Sequence, residues 1–504
     1  MKWQEHKSKK SLLLMAIVIS TLLAGCRTMP RFHKSFVGVH ILGNSNRIIS
    51  FDIDKDGYAD YWQRFDDGGR IVELRFSWQN GEPNEVVLLD KLVSQELPHF
   101  IIALDGVPYG LVEELYRQGR FRLFYPPSRV ITCFPGMTNP AFWQIFGGEQ
   151  PIAYESKYFD RQVNRLVGGN DAYLSGEAAD WAKKLDYCCS PKLGALSYIK
   201  PDMVFRHELK EVMDVFRRPT TGTKIAYCVA TAGFGTRGGR EAIVKYLETI
   251  DELCAQIVYE RRGRVKISLL ADHGHSASGQ GRVSFEELLE ESGYRLTNHF
   301  EEPGDVVAVE YGLVHYAGFY TDDPEGVAAV LLMDPVTELA CYPVSKEKTT
   351  TEGLDVVVQS LNGKAVIRKA HNRYSYSAEY GDPLWLLGII KQLRQEGKVD
   401  NDDFIDDRAL LMATLNHIYP DPMRRIWMAF NGLVRKPVDL IICLKDGWVH
   451  GSGFFYAVIG KVASTHGSLN QSDSMTFAMT MLGELPPALR LEEVMPALEI
   501  FRRD

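Results

Sequence analysis

The chain has 504 residues, 45% hydrophobic and 24% charged, with a formal net charge of -8. That usage is ordinary for a globular protein and excludes a disordered or fibrous chain, while the negative balance gives no footing for nucleic acid. The length accommodates more than one domain, or one large α/β domain with insertions.

Residues 1–25 have the layout of a secretory leader. Lys2, Lys7, Lys9 and Lys10 make a basic head, and Ser11 to Ala24 is apolar or small. The apolar part is short for a membrane span, although an uncleaved anchor helix is the alternative reading. Leu23-Ala24-Gly25-Cys26 resembles the bacterial lipobox. That resemblance implies cleavage before Cys26 and lipid acylation of that residue, palmitate included, placing the body on the periplasmic face of the cell envelope. Arg27 in place of aspartate points to the outer membrane.

Seven further cysteines, at 133, 188, 189, 228, 254, 341 and 443, form neither a disulfide framework nor a CxxC metal pattern. No internal repeat or low-complexity tract is present.

Residues 26–96 read as a small β-rich module of hairpins and turns. Within it, Asp52, Asp54, Asp56 and Asp60 stand at positions 1, 3, 5 and 9 of a loop with Gly57 at position 6. This is the oxygen spacing of a calcium loop, with Gln63 where an EF-hand has its bidentate glutamate. Strand-like flanks make it similar to the aspartate-rich calcium loops of extracellular modules. The expectation is a structural calcium site; an Asx-turn with exposed acids is the alternative.

Residues 97–504 alternate strand-like and helical patterns, with strands expected at 100–104, 224–230, 265–271, 327–333 and 438–444. Helices are expected at 240–259, 284–291, 383–396 and 408–418. The fold class read from this is α/β: a mostly parallel sheet with helices on both faces, plus the N-terminal β-rich module. The stretch 335–437 breaks the rhythm and reads as an insertion over the site.

Four segments carry chemistry. The strand 100–104 delivers Asp105-Gly106. Phe134-Pro-Gly-Met-Thr138-Asn139-Pro140 places a threonine on a turn before an apolar helix. The strand 265–271 delivers Asp272-His273-Gly274-His275, and Ser464-Thr-His466-Gly467 puts a histidine on a late turn. Carboxylates and imidazoles at strand ends are the material of a divalent-metal site. His315 reads as a strand histidine rather than a ligand. Tyr154-Glu155, Asn164 to Asn170 and the aromatic run Asn372 to Tyr380 are weaker pocket candidates.

The order of these segments resembles the alkaline phosphatase superfamily, and within it the type I phosphodiesterase and nucleotide pyrophosphatase branch, over residues 97–504. The resemblance implies a phosphohydrolase with Thr138 as nucleophile and Asn139 holding phosphoryl oxygens. It implies metal ligands Asp105, Thr138, Asp272, His273 and His466, and a phosphate-ester or diester substrate.

The family's second metal takes ligands from a segment Thr-Asp-x-x-Gly-His-x-x-Gly. The matching stretch, Thr231 to Gly239, has Ala232 and Thr236 at the two ligand positions. One divalent metal is therefore expected, with zinc the first choice, and His466, His275 or Arg237 standing in for the second. Two functions remain open. One is a one-metal phosphodiesterase or phosphotransferase; the other is a catalytically silent lipoprotein binding a phosphorylated ligand or a partner.

Overall fold

The computed structural model describes residues 35–41, 47–78, 81–176, 179–344 and 352–500. The leader and Cys26 lie outside the described residues. Among the described residues no helix is long and apolar enough to cross a membrane.

The first element is a five-stranded antiparallel sheet of Ser35–Ile41, Arg47–Asp52, Tyr61–Phe65, Ile71–Phe76 and Glu85–Leu88. Tyr61, Leu74 and Phe76 are fully buried. The Tyr61 ring meets Tyr259 edge-on at 5.3 Å, which seats the sheet on the end of a long helix, Ala230–Glu260.

The central sheet has seven strands. In spatial order they are Tyr187–Cys188, Thr223–Cys228, His99–Leu104, Lys266–Ala271, Met475–Thr480, Ser128–Ile131 and Ala488–Arg490. Four of its six pairings are parallel; Met475–Thr480 runs antiparallel to both neighbours. His99–Leu104 and Lys266–Ala271 are buried at every residue, as expected of strands covered on both faces.

Register positions the site. Leu104 pairs with both Ala271 and Cys228. Asp105 and Asp272 therefore leave the sheet side by side, one residue beyond its carboxyl edge. At the same edge the helix Ala230–Glu260 begins ten residues before the expected start at 240, so Thr231–Gly239 is itself helical, up to a kink at Gly239 (φ 61°, ψ -151°). Its start is held by Glu208 of the helix Pro201–Arg217, whose carboxylate accepts from the Val229 and Ala230 N–H groups at 2.7 and 3.2 Å.

A second sheet of nine strands, antiparallel apart from its outermost pair, occupies residues 295–444. The strands Thr337–Pro343, Val356–Ser360, Gly363–Ala370 and Arg373–Tyr380 belong to it, so the aromatic run 372–380 is sheet, with Tyr374 buried. Tight turns at 361–362 and 371–372 force neighbouring strands antiparallel, since a parallel return needs a long crossover.

Residues 327–333, expected as a strand, lie mainly in the helix Pro324–Leu331. Asp323 caps it, accepting from Gly326 N–H at 3.0 Å, with Pro324 in its first turn. A short apolar run does not distinguish a buried strand from a buried helix by period; here the Asp-Pro start signal decides.

Candidate active site

Asp105, Asp272 and His273 are all buried, and each offers a ligand atom within 4.8 Å of the other two. The hydrogen bonds show which atoms are spent. Asp272 Oδ1 accepts from the N–H groups of Gly106 at 3.0 Å and His273 at 2.9 Å. Asp105 Oδ2 accepts from the Tyr227 hydroxyl at 2.5 Å. The remaining oxygens, Asp105 Oδ1 and Asp272 Oδ2, are buried without a hydrogen-bond partner.

His273 Nδ1 lies 2.9 Å from the Gly274 carbonyl, which assigns the proton to that nitrogen. The lone pair of Nε2 then faces Asp105 Oδ1 at 3.4 Å and Asp272 Oδ2 at 3.3 Å. Two orphaned carboxylate oxygens and one imidazole lone pair, converging in a buried place, match the donor set of a divalent cation.

The electrostatics agree. Burial and the neighbouring Asp272 charge push the Asp105 carboxyl well above the usual carboxylate range, and burial pushes Asp272 up to about 7. Burial lowers His273 to about 4, keeping its imidazole neutral, as a ligand must be.

Thr138 opens the helix Thr138–Phe146. Its Oγ lies 3.4 Å from His273 Nε2. Unlike Asp105, Asp272 and His273, Thr138 is only partly buried. The N–H groups of a helix's first turn have no partner inside the helix and suit an anion. Asn139 is the next residue. Its Oδ1 accepts from the Trp181 indole N–H at 3.1 Å, and that contact turns the amide NH2 away from Trp181.

His466 reaches the same edge but stands outside the three-group cluster. Its ring stacks on His273 with centroids 3.9 Å apart and planes 18° apart, and its Nδ1 is 2.7 Å from the Gly136 carbonyl. Burial and the neighbouring His273 depress its basicity well below the ordinary imidazole value. His275 Nδ1 meets the Ser464 hydroxyl at 2.7 Å, and its buried Nε2 has no hydrogen-bond partner.

The segment Thr231–Gly239 lies at this edge too. Thr231 Oγ1 accepts from Asp105 N–H at 3.1 Å, and a Cβ on Gly235 would stand 2.8 Å from His275 Cε1. Ala232 and Thr236 are buried there and contribute no carboxylate or imidazole. Arg237 spends a guanidinium N–H on the Ile459 carbonyl.

The calcium-like loop presents Asp52, Asp54 and Asp56 oxygens within 4.8 Å of one another; Asp60 stands outside that group. Its acids also cap the loop backbone. Asp52 accepts from Lys55 and Gly57 N–H at 2.6 and 3.0 Å, and Asp60 Oδ1 from Ile53 N–H at 3.0 Å.

Tyr154 and Glu155 are buried packing groups: the tyrosine hydroxyl donates to the Ala429 carbonyl at 2.5 Å, and Glu155 accepts from Gly312 N–H at 2.6 Å. Arg165–Gly168, within 164–170, is one strand of a two-stranded hairpin. All seven cysteines among the described residues are free thiols. Tyr227 and Trp181 are residues at the site that the motifs do not reveal; the sequence signal for the first is a tyrosine near the end of the strand Thr223–Cys228.

No protein-family model matches the chain, and no curated protein matches it in sequence. Among solved structures it is similar to human ectonucleotide pyrophosphatase/phosphodiesterase 5, at 9% identity and a TM-score of 0.45, over 80% of this chain and 94% of that one. It is also similar to phosphonoacetate hydrolase from Sinorhizobium meliloti 1021 in complex with phosphonoformate. There the identity is 13% and the TM-score 0.41, over 84% of this chain and 98% of that one.

Proposed function

We propose that this chain is a metal-dependent phosphoryl-transfer enzyme, a phosphodiesterase or phosphotransferase, with Thr138 as its nucleophile. The observation that carries this reading is the cluster itself. Two orphaned carboxylate oxygens and a neutral imidazole nitrogen converge beside the hydroxyl of a partly exposed threonine at a helix N-terminus.

Asp105, Asp272 and His273 are the residues that would hold a divalent ion. The mixed oxygen and nitrogen donor set suits zinc. Such an ion, when bound, offsets the buried negative charge and lowers the pKa of the neighbouring hydroxyl. Thr138 Oγ gives up its proton to solvent and forms a bond to phosphorus while the bond to the leaving oxygen breaks. The leaving group departs with the bonding pair and takes up a proton from solvent. Water or an acceptor alcohol then displaces Thr138 Oγ from phosphorus. The Asn139 amide and the first-turn N–H groups hold the non-bridging oxygens. With Ala232 and Thr236 supplying no ligand, one metal serves the site.

The same two residues favour the second reading, a catalytically silent protein that binds a phosphorylated ligand. In either case Cys26 is proposed as a lipid anchor, with the body on the periplasmic side of the outer membrane. A calcium ion at Asp52, Asp54 and Asp56 is proposed as structural, with Asp60 shaping the loop.

The test pairs metal analysis of the purified protein with hydrolysis of bis-p-nitrophenyl phosphate. Metal-loaded wild type is expected to turn over and to carry a p-nitrophenyl-phosphoryl group on Thr138 by mass spectrometry. Thr138→Ala should fall to background with an unchanged melting temperature. Equal inertness of wild type and Thr138→Ala across mono-, di- and pyrophosphates and sulfate esters would overturn the enzyme in favour of the binding protein.

A further inference from the structure

Two buried groups outside the ligand set connect the loops that carry His273 and His466. His315 lies between the short strand Leu313–Val314 and the strand Tyr316–Thr321. Asp473 lies in a single helical turn, Gln471–Ser474. Both are inaccessible, at 1% and 0% exposure. His315 Nδ1 is 2.8 Å from Asp473 Oδ2.

Their backbones complete the link. His315 N–H donates to the His466 carbonyl at 2.8 Å, and the Asp473 carbonyl accepts from Gly274 N–H at 2.9 Å. Asp473 Oδ2 also accepts from Ser468 N–H at 2.9 Å. A path of hydrogen bonds thus runs from the residue after His273, through the Asp473 and His315 side chains, to the backbone of His466. Gly274 is required for it: a Cβ there would stand 1.9 Å from the Ser472 carbonyl oxygen.

The Ser278 hydroxyl lies 2.5 Å from His315 Nε2. Ser278, His315 and Asp473 therefore have the connectivity of an acyl-transfer triad. Ser278 is only 3% exposed, however, so its hydroxyl is out of reach of a substrate. The Asp473 carboxylate, which only accepts, assigns the His315 proton to Nδ1, and the Ser278 hydroxyl donates to Nε2.

We infer that His315 and Asp473 are a positioning pair, which holds His466 in its stack on His273 and thereby aims His273 Nε2 at Asp105 and Asp272. This rests on the reading of Asp105, Asp272 and His273 as a metal site. Outer hydrogen-bond partners that orient a metal ligand typically contribute ~10- to 100-fold in metal affinity.

The experiment measures Zn2+ binding to the purified full chain by calorimetry, with melting temperature recorded for each variant. Asp473→Ala should weaken Zn2+ binding ~10- to 100-fold in folded protein. Asp473→Asn keeps an acceptor oxygen for His315 and Ser468 and should recover most of that loss. His315→Gln keeps a donor for Asp473 but does not span Asp473 and Ser278 together; it should lose about tenfold, and it carries the test if Asp473→Ala does not fold. Combining Asp473→Ala with His315→Gln should cost no more than Asp473→Ala alone, as expected of groups acting as one unit. Folded variants that bind Zn2+ as tightly as wild type, or losses that multiply, would overturn the pair. A wild type that binds no Zn2+ would instead refute the metal site on which the pair depends.

Discussion

Replacing Asp272 with asparagine separates what this carboxylate does for the bare fold from what it does for a bound cation. Asparagine keeps an oxygen for the Gly106 and His273 N–H groups and removes the charge from the orphaned position. Without metal the change should not destabilise the protein. Carboxylate oxygens within 4.8 Å of one another, both ionised, would repel by at least ~3.5 kcal/mol at an effective dielectric of ~20; burial and this repulsion hold the Asp105 carboxyl well above the usual range, and the substitution relieves the repulsion.

With metal the sign reverses. At a free concentration of 1,000 times Kd, binding stabilises the wild type by ~4.1 kcal/mol. A ~100-fold weaker site would retain ~1.4 kcal/mol at the same concentration. At ~2.1 cal/mol/K per residue, a 504-residue chain unfolds with ~1 kcal/mol/K of entropy, so the lost ~2.7 kcal/mol lowers Tm by about 3 °C. Scanning calorimetry with and without Zn2+ reads both effects. A metal-induced rise of equal size in wild type and Asp272→Asn would refute the assignment of Asp272 as a ligand, and so would a drop in the metal-free Tm large enough to account for the whole difference.

Other outcomes follow from the same structure. Burial raises the Glu155 carboxyl from 4.5 to about 7, so the folded state binds the extra proton between those values. Stability should fall as pH rises through that window, by up to ~3 kcal/mol, and Glu155→Gln should flatten this part of the pH–stability curve; an unchanged curve would show that the carboxyl ionises freely in the fold. Chelating calcium should lower the melting temperature of wild type but not of an Asp52→Asn, Asp56→Asn double variant; equal melting of both with and without chelator would leave the loop as backbone capping alone. Ala232→Asp combined with Thr236→His, one helical turn apart and with His466 as the third ligand, should raise bound zinc from one to two per chain by native mass spectrometry. A stoichiometry that stays at one would mean the second position has lost its geometry as well as its ligands.

Much of the site is legible in local pattern. Apolar runs that end in Asp105 and Asp272 read as buried strands because such strands are apolar throughout, and parallel register then sets the two acids side by side. Thr138 before Asn139-Pro140 reads as a helix start, and the structure begins a helix at that residue. That Ala232 and Thr236 supply neither carboxylate nor imidazole is a plain matter of residue identity.

Where local pattern is ambiguous the reading fails: the apolar run 327–333 satisfies strand and buried helix equally, and the antiparallel sheet of residues 295–444 depends on turn lengths more than on composition. What only the tertiary structure decided is partnership at long range. His466 stacks on His273, Tyr227 spends one Asp105 oxygen, Trp181 turns the Asn139 amide, and Asp473 reaches His315. The physical reason is that a strand or cap follows from neighbours within a few residues, whereas a partner tens to hundreds of residues away is chosen by how whole elements pack. Residue types at strand ends therefore gave the donor types of a divalent-cation site from sequence, while which of their atoms stay without a partner emerged only from the packing.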